Sequence, residues 1–490
     1  MTRKIILGIA GLVVILLVVL AVNTLRIGPP PLPEIPPAED IAIDKDAAAK
    51  RLAQSVRFRT VSHGPNDPIA EEAFHGLRDF LARSFPRVHK TLKREIINDY
   101  SLLYTWEGND PKLKPILLAA HLDVVPVEPG TEGKWTHPPF SGAIADGFVW
   151  GRGTMDMKLS VVGILEAVEY LLGQGFALKR TVYLAFGHDE EIGGAGGAAR
   201  IAKLLAQRGV RLHFTLDEGL AVTHGIVPGV ERPVALIGVA EKGYLTLELT
   251  ARAKGGHSSM PPRGTAIGKL VRAIHRLGTN RMPAALGVPV SSMFEYLLPE
   301  ITVARRVILA NRWLFEPLIL SRLEEKPATN ALIRTTTAPT ILRAGVKENV
   351  LPSEAKGLVN FRILPGDSIL SVMEHVRDRI DDADVTVRQI GSEPSEPSPV
   401  SNIDSASFAA LRKTVHQVYP DAVVAPGLVP GRTDSRRYVR LADNSYRFLP
   451  MRLGRKDLKR IHGTDERISV ETYAEIIRFY IQLLRNTAVR

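Results

Sequence analysis

Four short stretches of this 490-residue chain place carboxylates or imidazoles directly after apolar, strand-like runs. His121-Leu122-Asp123 follows residues 116–120, and Gly151-Arg152-Gly153-Thr154-Met155-Asp156 follows 149–150. Gly187-His188-Asp189-Glu190-Glu191 follows 181–186, and Asp217-Glu218-Gly219 follows 212–216. In an open α/β sheet the carboxyl ends of the strands are where ligands bind. Four such ends in one unit gather several carboxylates, and like charges that close need a cation. Two divalent metal ions are the economical solution. A strand-end Asp standing alone is ordinarily a helix cap or a turn residue, and a lone Glu pair is solvated surface. It is the succession that argues for a site.

The chain has no cysteine, which removes disulfides, thiol nucleophiles and thiolate metal sites together. His nitrogen and carboxylate oxygen remain as donors, and both suit zinc. His121 and Asp123 are close enough for a metal-bound imidazole to give its other N–H to a carboxylate. In Glu190-Glu191 one carboxylate can bind metal while its neighbour serves as general base. Gly193, Gly194, Gly196 and Gly197 do not form a dinucleotide fingerprint, and no HExxH, GxSxG or Walker A pattern is present.

The elements that must position these groups alternate. Strand-like runs at 116–120 and 181–186 are interleaved with helical patterns at 158–172 and 196–208, which predicts a βαβ-type sheet covered by helices. Near residue 242 the rhythm changes. Strands are expected at 244–253, 337–343, 355–363 and 385–390, and helices at 265–277 and 368–380, an order βαββαβ as in ferredoxin-like units. An extra, partly helical stretch occupies about 279–333. After Pro394-Ser395-Glu396-Pro397-Ser398 the α/β pattern resumes. The simplest architecture is an α/β domain in two parts, 44–241 and 394–490, interrupted by a smaller domain at 242–393.

Composition excludes other classes. Hydrophobic residues at 45% and charged residues at 23% are ordinary for a globular chain, so disorder and fibrous structure are ruled out for most of the length. The formal charge is +11, yet no basic run or nucleic-acid module accompanies it. Fourteen of the Lys and Arg residues and seven of the acids fall between Arg432 and Arg490, a local excess of +7. Residues 5–22 carry no charge and are long enough, at about 27 Å as a helix, to span a bilayer. With Arg3 and Lys4 ahead of them they read as an uncleaved signal anchor with the rest of the chain extracytoplasmic. Residues 27–43 are proline-rich and are expected to be an extended spacer.

Three stretches together carry a resemblance: His121-Leu122-Asp123-Val124-Val125-Pro126, Trp150-Gly151-Arg152-Gly153-Thr154-Met155-Asp156-Met157-Lys158 and Gly187-His188-Asp189-Glu190-Glu191. They resemble the signature blocks of the di-zinc exopeptidase family of carboxypeptidase S, aminoacylase and succinyl-diaminopimelate desuccinylase. The likeness runs from about residue 47 to 482. Asn311-Arg312-Trp313-Leu314-Phe315-Glu316-Pro317-Leu318 and Ala331-Leu332-Ile333-Arg334-Thr335-Thr336-Thr337 incline it to the branch of carboxypeptidase S and the N-fatty-acyl-amino-acid synthase/hydrolases. The resemblance implies a zinc-exopeptidase-like catalytic domain interrupted by a lid or dimerisation domain, so that the protein is a monomer or a homodimer through that domain. It implies two Zn2+, with Co2+ or Mn2+ as substitutes. His121 would bind one zinc, oriented by Asp123, and Asp156 would bridge both. Glu190 would be the general base, while Glu191 and His462 would bind the second zinc. The last ligand would be Asp217 or Glu218. His257 would polarise the scissile carbonyl from the lid, and Asn349 and Arg362 would contact substrate.

The block written Gly-x-Thr-Asp-Ser/Ala-Arg-Phe in the family appears here as Gly431-Arg432-Thr433-Asp434-Ser435-Arg436-Arg437-Tyr438. Arg436 matches and would contact substrate, whereas Arg432 and Arg437 are additions that could favour acidic substrates if they face the cleft. The implied activity is hydrolysis of an amide next to a free carboxylate, in a short peptide or an N-acyl amino acid. The rival is a non-catalytic, membrane-tethered binding protein on the same fold, since fold alone does not establish activity.

Overall fold

The computed structural model describes residues 2–30, 35–36, 38 and 41–489. The expected spacer at 27–43 therefore lies partly outside the described residues.

The main sheet has eight strands in the order Lys93–Ile97, Ser101–Trp106, Val182–Gly187, Ile116–His121, Leu212–His224, Ala442–Gly454, Val234–Glu241, Val423–Val429. Ile116–His121 lies parallel to both of its neighbours, and the two edge strands at the Lys93 end are antiparallel. Strands covered on both faces read as continuous apolar runs, and Ile116–His121 (ILLAAH) is buried throughout. Its alternate residues serve two cores. Ile116, Leu118 and Ala120 meet the larger core with the helices Lys45–Val56, Lys158–Gly173 and Val470–Ala488. Leu117 and Ala119 meet Ile201 and Leu205 of the helix Ala198–Gln207, together with Tyr438.

A second sheet stands apart with its own core. Its antiparallel strands run Thr336–Ala344, Glu354–Ile363, Gly243–Arg252, Val385–Ser395, and the helices Ala266–Thr279 and Ile369–Ile380 pack on one face. Period-two patterning sends Leu245, Leu247, Leu249, Val359 and Phe361 into that core. The opposite face carries Tyr244 and, directly across from it, Arg362. Thr265 caps the first helix through Gly268 N, and Ser368 and Ser371 form a reciprocal capping box on the second.

Two features differ from the sequence-based expectation. The strand beginning at Leu212 does not end at Asp217 but continues to His224. Against its neighbour, Asp217 pairs with Arg447 and Leu220 with Phe448, so Glu218 and Gly219 are the extra residues of a bulge. Gly219 has φ +149°, and a Cβ there would lie 2.7 Å from the Arg447 Cβ. The bulge re-aims one carboxylate out of a strand that would otherwise bury or expose it by simple alternation. The stretch 279–333 also forms four helices, Val288–Leu297, Val303–Ala310, Arg312–Glu324 and Pro327–Ile333. Tyr296, Leu297, Leu298, Ile301 and Ala310 join the core of the main sheet rather than that of the smaller one.

At the front, Thr2–Arg26 is a single helix of mean hydropathy 3.4 over its most apolar 18 residues, long and apolar enough to cross a membrane. Its side chains from Ile5 to Val19 are solvent-exposed.

Candidate metal centre

Two donor sets meet at the carboxyl rim of the main sheet and share one residue. His121, Asp156 and Glu218 form the first, and Asp156, Glu191 and His462 the second. His121 Nε2 lies 2.9 Å from Asp156 Oδ1 and 3.6 Å from Glu218 Oε1. His462 Nε2 lies 3.0 Å from Asp156 Oδ2 and 3.5 Å from Glu191 Oε2. Asp156 thus presents one oxygen to each set.

Each donor is held by its element. His121 is the last residue of its strand, and its Nδ1 lies 3.0 Å from the Asp123 carbonyl and 3.3 Å from the Asp123 carboxylate. That leaves Nε2 directed at Asp156. The Asp123 carboxylate also accepts the backbone N–H groups of Glu190 and Glu191 at 3.1 and 3.2 Å. One buried side chain therefore fixes both the imidazole and the turn with the glutamate pair. Glu218 reaches the first set through the bulge. Asp217 instead accepts the Glu218 N–H at 2.9 Å, and its other oxygen is buried without a partner.

Sequence reasoning gave no role to Glu466, the residue that seats Asp156. Fully buried, Glu466 accepts the N–H groups of Gly153, Met155 and Asp156 at 2.9, 2.8 and 3.2 Å. Its other oxygen pairs with Arg152 at 2.5 Å, and Arg152 also donates to the His462 carbonyl at 3.1 Å. Arg152 and Glu466 so lock the loops of both Asp156 and His462. The available signal was a glutamate four residues after His462, with a glycine-flanked arginine far upstream. Asp434 was also passed over. It is buried, and neither of its carboxylate oxygens has a hydrogen-bond partner among the described residues.

The electrostatics describe a cavity built for positive charge. Burial, then the neighbouring Glu218 charge, pushes Glu190 well above the usual carboxylate range. Burial and Asp156 push Glu218 up to about 8, and burial and Asp217 push Asp434 up to about 8. Burial, against the opposing Glu218 N–H and with help from the Glu241 charge, raises Asp217 to about 6. Asp156 goes the other way, because hydrogen bonds from His121 and His462 outweigh its burial. Hydrogen bonds that His462 donates to Asp156 and Glu191 lift it to about 10. Carboxylates raised by desolvation favour the folded state only while protonated, so this stabilisation is present at low pH and is lost as pH rises through the folded values. The metal-free chain is expected to melt at a lower temperature at pH 8 than at pH 5, and saturating zinc should shrink the difference. Thermal melts with and without chelator check this; a chelated chain that melts higher at pH 8 contradicts it.

A cleft of about 580 Å³ opens beside the second donor set, lined by Glu190, Glu191 and His462 from the main unit and by Tyr244, Thr246 and Arg362 from the small sheet. Arg432 and Glu393 line it as well. The guanidiniums of Arg362 and Arg432 each lie 4.8 Å from the centre of the Tyr244 ring. Burial lowers both from the ordinary arginine value. Among the described residues neither has a carboxylate ion-pair partner. Arg436 and Arg437 are placed differently: both pair with Glu393, at 2.9 and 2.5 Å, and both donate to the Gly193 carbonyl. Glu393 belongs to the small sheet, so this trio fastens the two units together. His257 and Asn349 are not brought into the cleft. They are exposed on a short ribbon in which Gly256–His257 pairs with Val350–Leu351 and Ser258 N donates to the Asn349 carbonyl.

A family model described as peptidase family M20/M25/M40 matches residues 117–486. The chain is 44% identical to a probable carboxypeptidase S-like 2 of Dictyostelium discoideum, over 98% of this chain and 93% of that protein. It is 42% identical to an N-fatty-acyl-amino acid synthase/hydrolase of Xenopus tropicalis, over 91% of this chain and 86% of that protein. Among solved structures, an M20 family metallo-carboxypeptidase from Sulfolobus solfataricus superposes with a TM-score of 0.65 at 19% identity, covering 91% of this chain and 99% of its own.

Proposed function

The chain belongs to peptidase family M20/M25/M40, and on that premise we propose that it is a zinc-dependent hydrolase of amide bonds next to a free carboxylate. The reading is carried by one juxtaposition: two donor sets sharing Asp156, beside a cleft with two arginines that form no ion pair with a carboxylate among the described residues.

The donors fit the group. Each set offers one imidazole and two carboxylates, a combination suited to zinc. His121, Asp156 and Glu218 would hold one ion, and Asp156, Glu191 and His462 the other. Bound there, the ions supply Lewis acidity that acidifies water and polarises a carbonyl. The chain's own groups do the rest. Glu190, in the cleft wall and outside both donor sets, takes a proton from the attacking water and returns it to the departing amine. Arg362 and Arg432 take the substrate's carboxylate, with Tyr244 fixing the planes of both guanidiniums. His257 and Asn349 complete the site on closure of the 242–393 domain as a lid, or from a second copy dimerised through that domain. The Thr2–Arg26 helix anchors the protein in a membrane with the catalytic part extracytoplasmic.

Short peptides and N-acyl amino acids both meet these requirements, as the names of the two curated relatives above suggest. Release of amino acid from N-oleoyl-Phe and from a Gly-X dipeptide by the zinc-loaded chain separates the two classes. Activity on neither refutes the proposal. Arg432→Ala is expected to raise KM by about tenfold or more, the worth of one charge-assisted contact, with a smaller change in kcat. Steady-state kinetics on acidic and neutral side chains check it. An unchanged KM on both would remove Arg432 from carboxylate binding.

A further inference from the structure

The helices Val303–Ala310 and Arg312–Glu324 take no part in the chemistry above, yet they hold the end of the N-terminal helix. Asn311, between them, is fully buried. Its Oδ1 accepts from Asn23 Nδ2 at 3.0 Å, and its Nδ2 donates to the Leu20 carbonyl at 3.2 Å and to Thr24 Oγ1 at 3.3 Å. Trp313 lies in the same cluster, with its indole N–H 3.4 Å from Asn311 Oδ1. The contact therefore falls on the last turns of a helix whose earlier apolar residues are bare.

Exposed apolar side chains stand near that contact, with Arg305 and Glu316 also exposed on the same two helices. Trp313 is 60% exposed, Leu314 41%, Leu318 45% and Val303 71%. Trp313, Leu314, Pro317 and Leu318 form one stripe by the spacing i, i+1, i+4, i+5, while Ile319 turns inward. The other three tryptophans, Trp106, Trp135 and Trp150, are all buried. A bare indole level with the end of a membrane-spanning helix is where an interfacial aromatic belongs.

We propose that the stripe Trp313-Leu314-Pro317-Leu318, with Val303, seats in the headgroup–acyl boundary of the bilayer that the Thr2–Arg26 helix crosses. This rests on the reading of that helix as a membrane span. The helix supplies the occupant, because residues 20–24 hold the stripe at the membrane surface whenever the span is inserted. Such seating fixes the tilt of the catalytic part relative to the bilayer, which one spanning helix by itself would leave free.

The test uses the full chain in phosphatidylcholine vesicles, either plain or carrying bromines on the acyl carbons nearest the headgroup. Flotation first reports whether the chain is inserted. Bromine is expected to quench the component of tryptophan emission that Trp313→Phe removes, and to leave the emission of the Trp313→Phe chain unchanged. Equal emission of the parent chain in both vesicles, with flotation intact, overturns the seating and spares the anchor. Failure to float overturns both.

Discussion

Glu190→Gln is expected to lower kcat by about 10²- to 10⁴-fold, the range for losing a positioned general base, while leaving zinc content intact. The substitution preserves shape. The backbone N–H of Glu190 donates to Asp123 Oδ1 whatever the side chain, so the turn that also presents Glu191 keeps its anchor. Neither donor set includes Glu190, so no ligand is lost. The change should relieve the folded state, since burial and the Glu218 charge both disfavour a carboxylate at that position. A slow enzyme that is as stable as its parent, or more so, and carries the same zinc is therefore the predicted phenotype. Metal analysis, thermal melting and kcat together decide it. A loss below about tenfold with full zinc would mean that the proton is taken elsewhere.

Glu466→Ala should be the most damaging single change remote from substrate. It strands the buried Arg152 guanidinium and leaves the N–H groups of Gly153, Met155 and Asp156 without their acceptor. Removing one partner of a buried pair costs about 3–5 kcal/mol, a large part of a typical stability of about 5–15 kcal/mol. Because Arg152 also holds the His462 carbonyl, zinc affinity should fall with stability. Urea denaturation and competition with a chromogenic chelator measure the two effects. Replacing Arg152 and Glu466 together by methionine should recover part of the stability but not the zinc affinity, since the apolar pair no longer orders the Asp156 loop. A Glu466→Ala chain with parental urea midpoint and zinc affinity would show that these loops order themselves.

Much of the arrangement was legible because it is local. The run ILLAAH at 116–121 announces a doubly covered strand, and a His or carboxylate at the end of such a strand is delivered to the rim by chain direction alone. The change of rhythm near residue 242 was equally visible, since strand and helix periods differ. The choice between Asp217 and Glu218 was not legible. It depends on a bulge whose register is set by Arg447 and Phe448, about 230 residues away, and both side chains are chemically suitable. Glu466 was silent for a related reason: a buried glutamate and a surface glutamate look alike until Arg152 is seen against it. The fate of 279–333 was hidden too. Amphipathic helices announce that they have a buried face, not which of two cores that face will meet.

The shared carboxylate of Asp156 has a thermodynamic corollary. If each donor set took an ion, the shared Asp156 would couple the two sites, and whatever factor the first occupant imposed on the second would be returned in equal measure. Removal by a chelator then reports a property of the pair, not two separate constants. In a mixture of metals the composition of the loaded protein is governed by that coupling as much as by either pocket's own preference. The sign of that coupling would decide whether such a centre fills in two separate steps or in one.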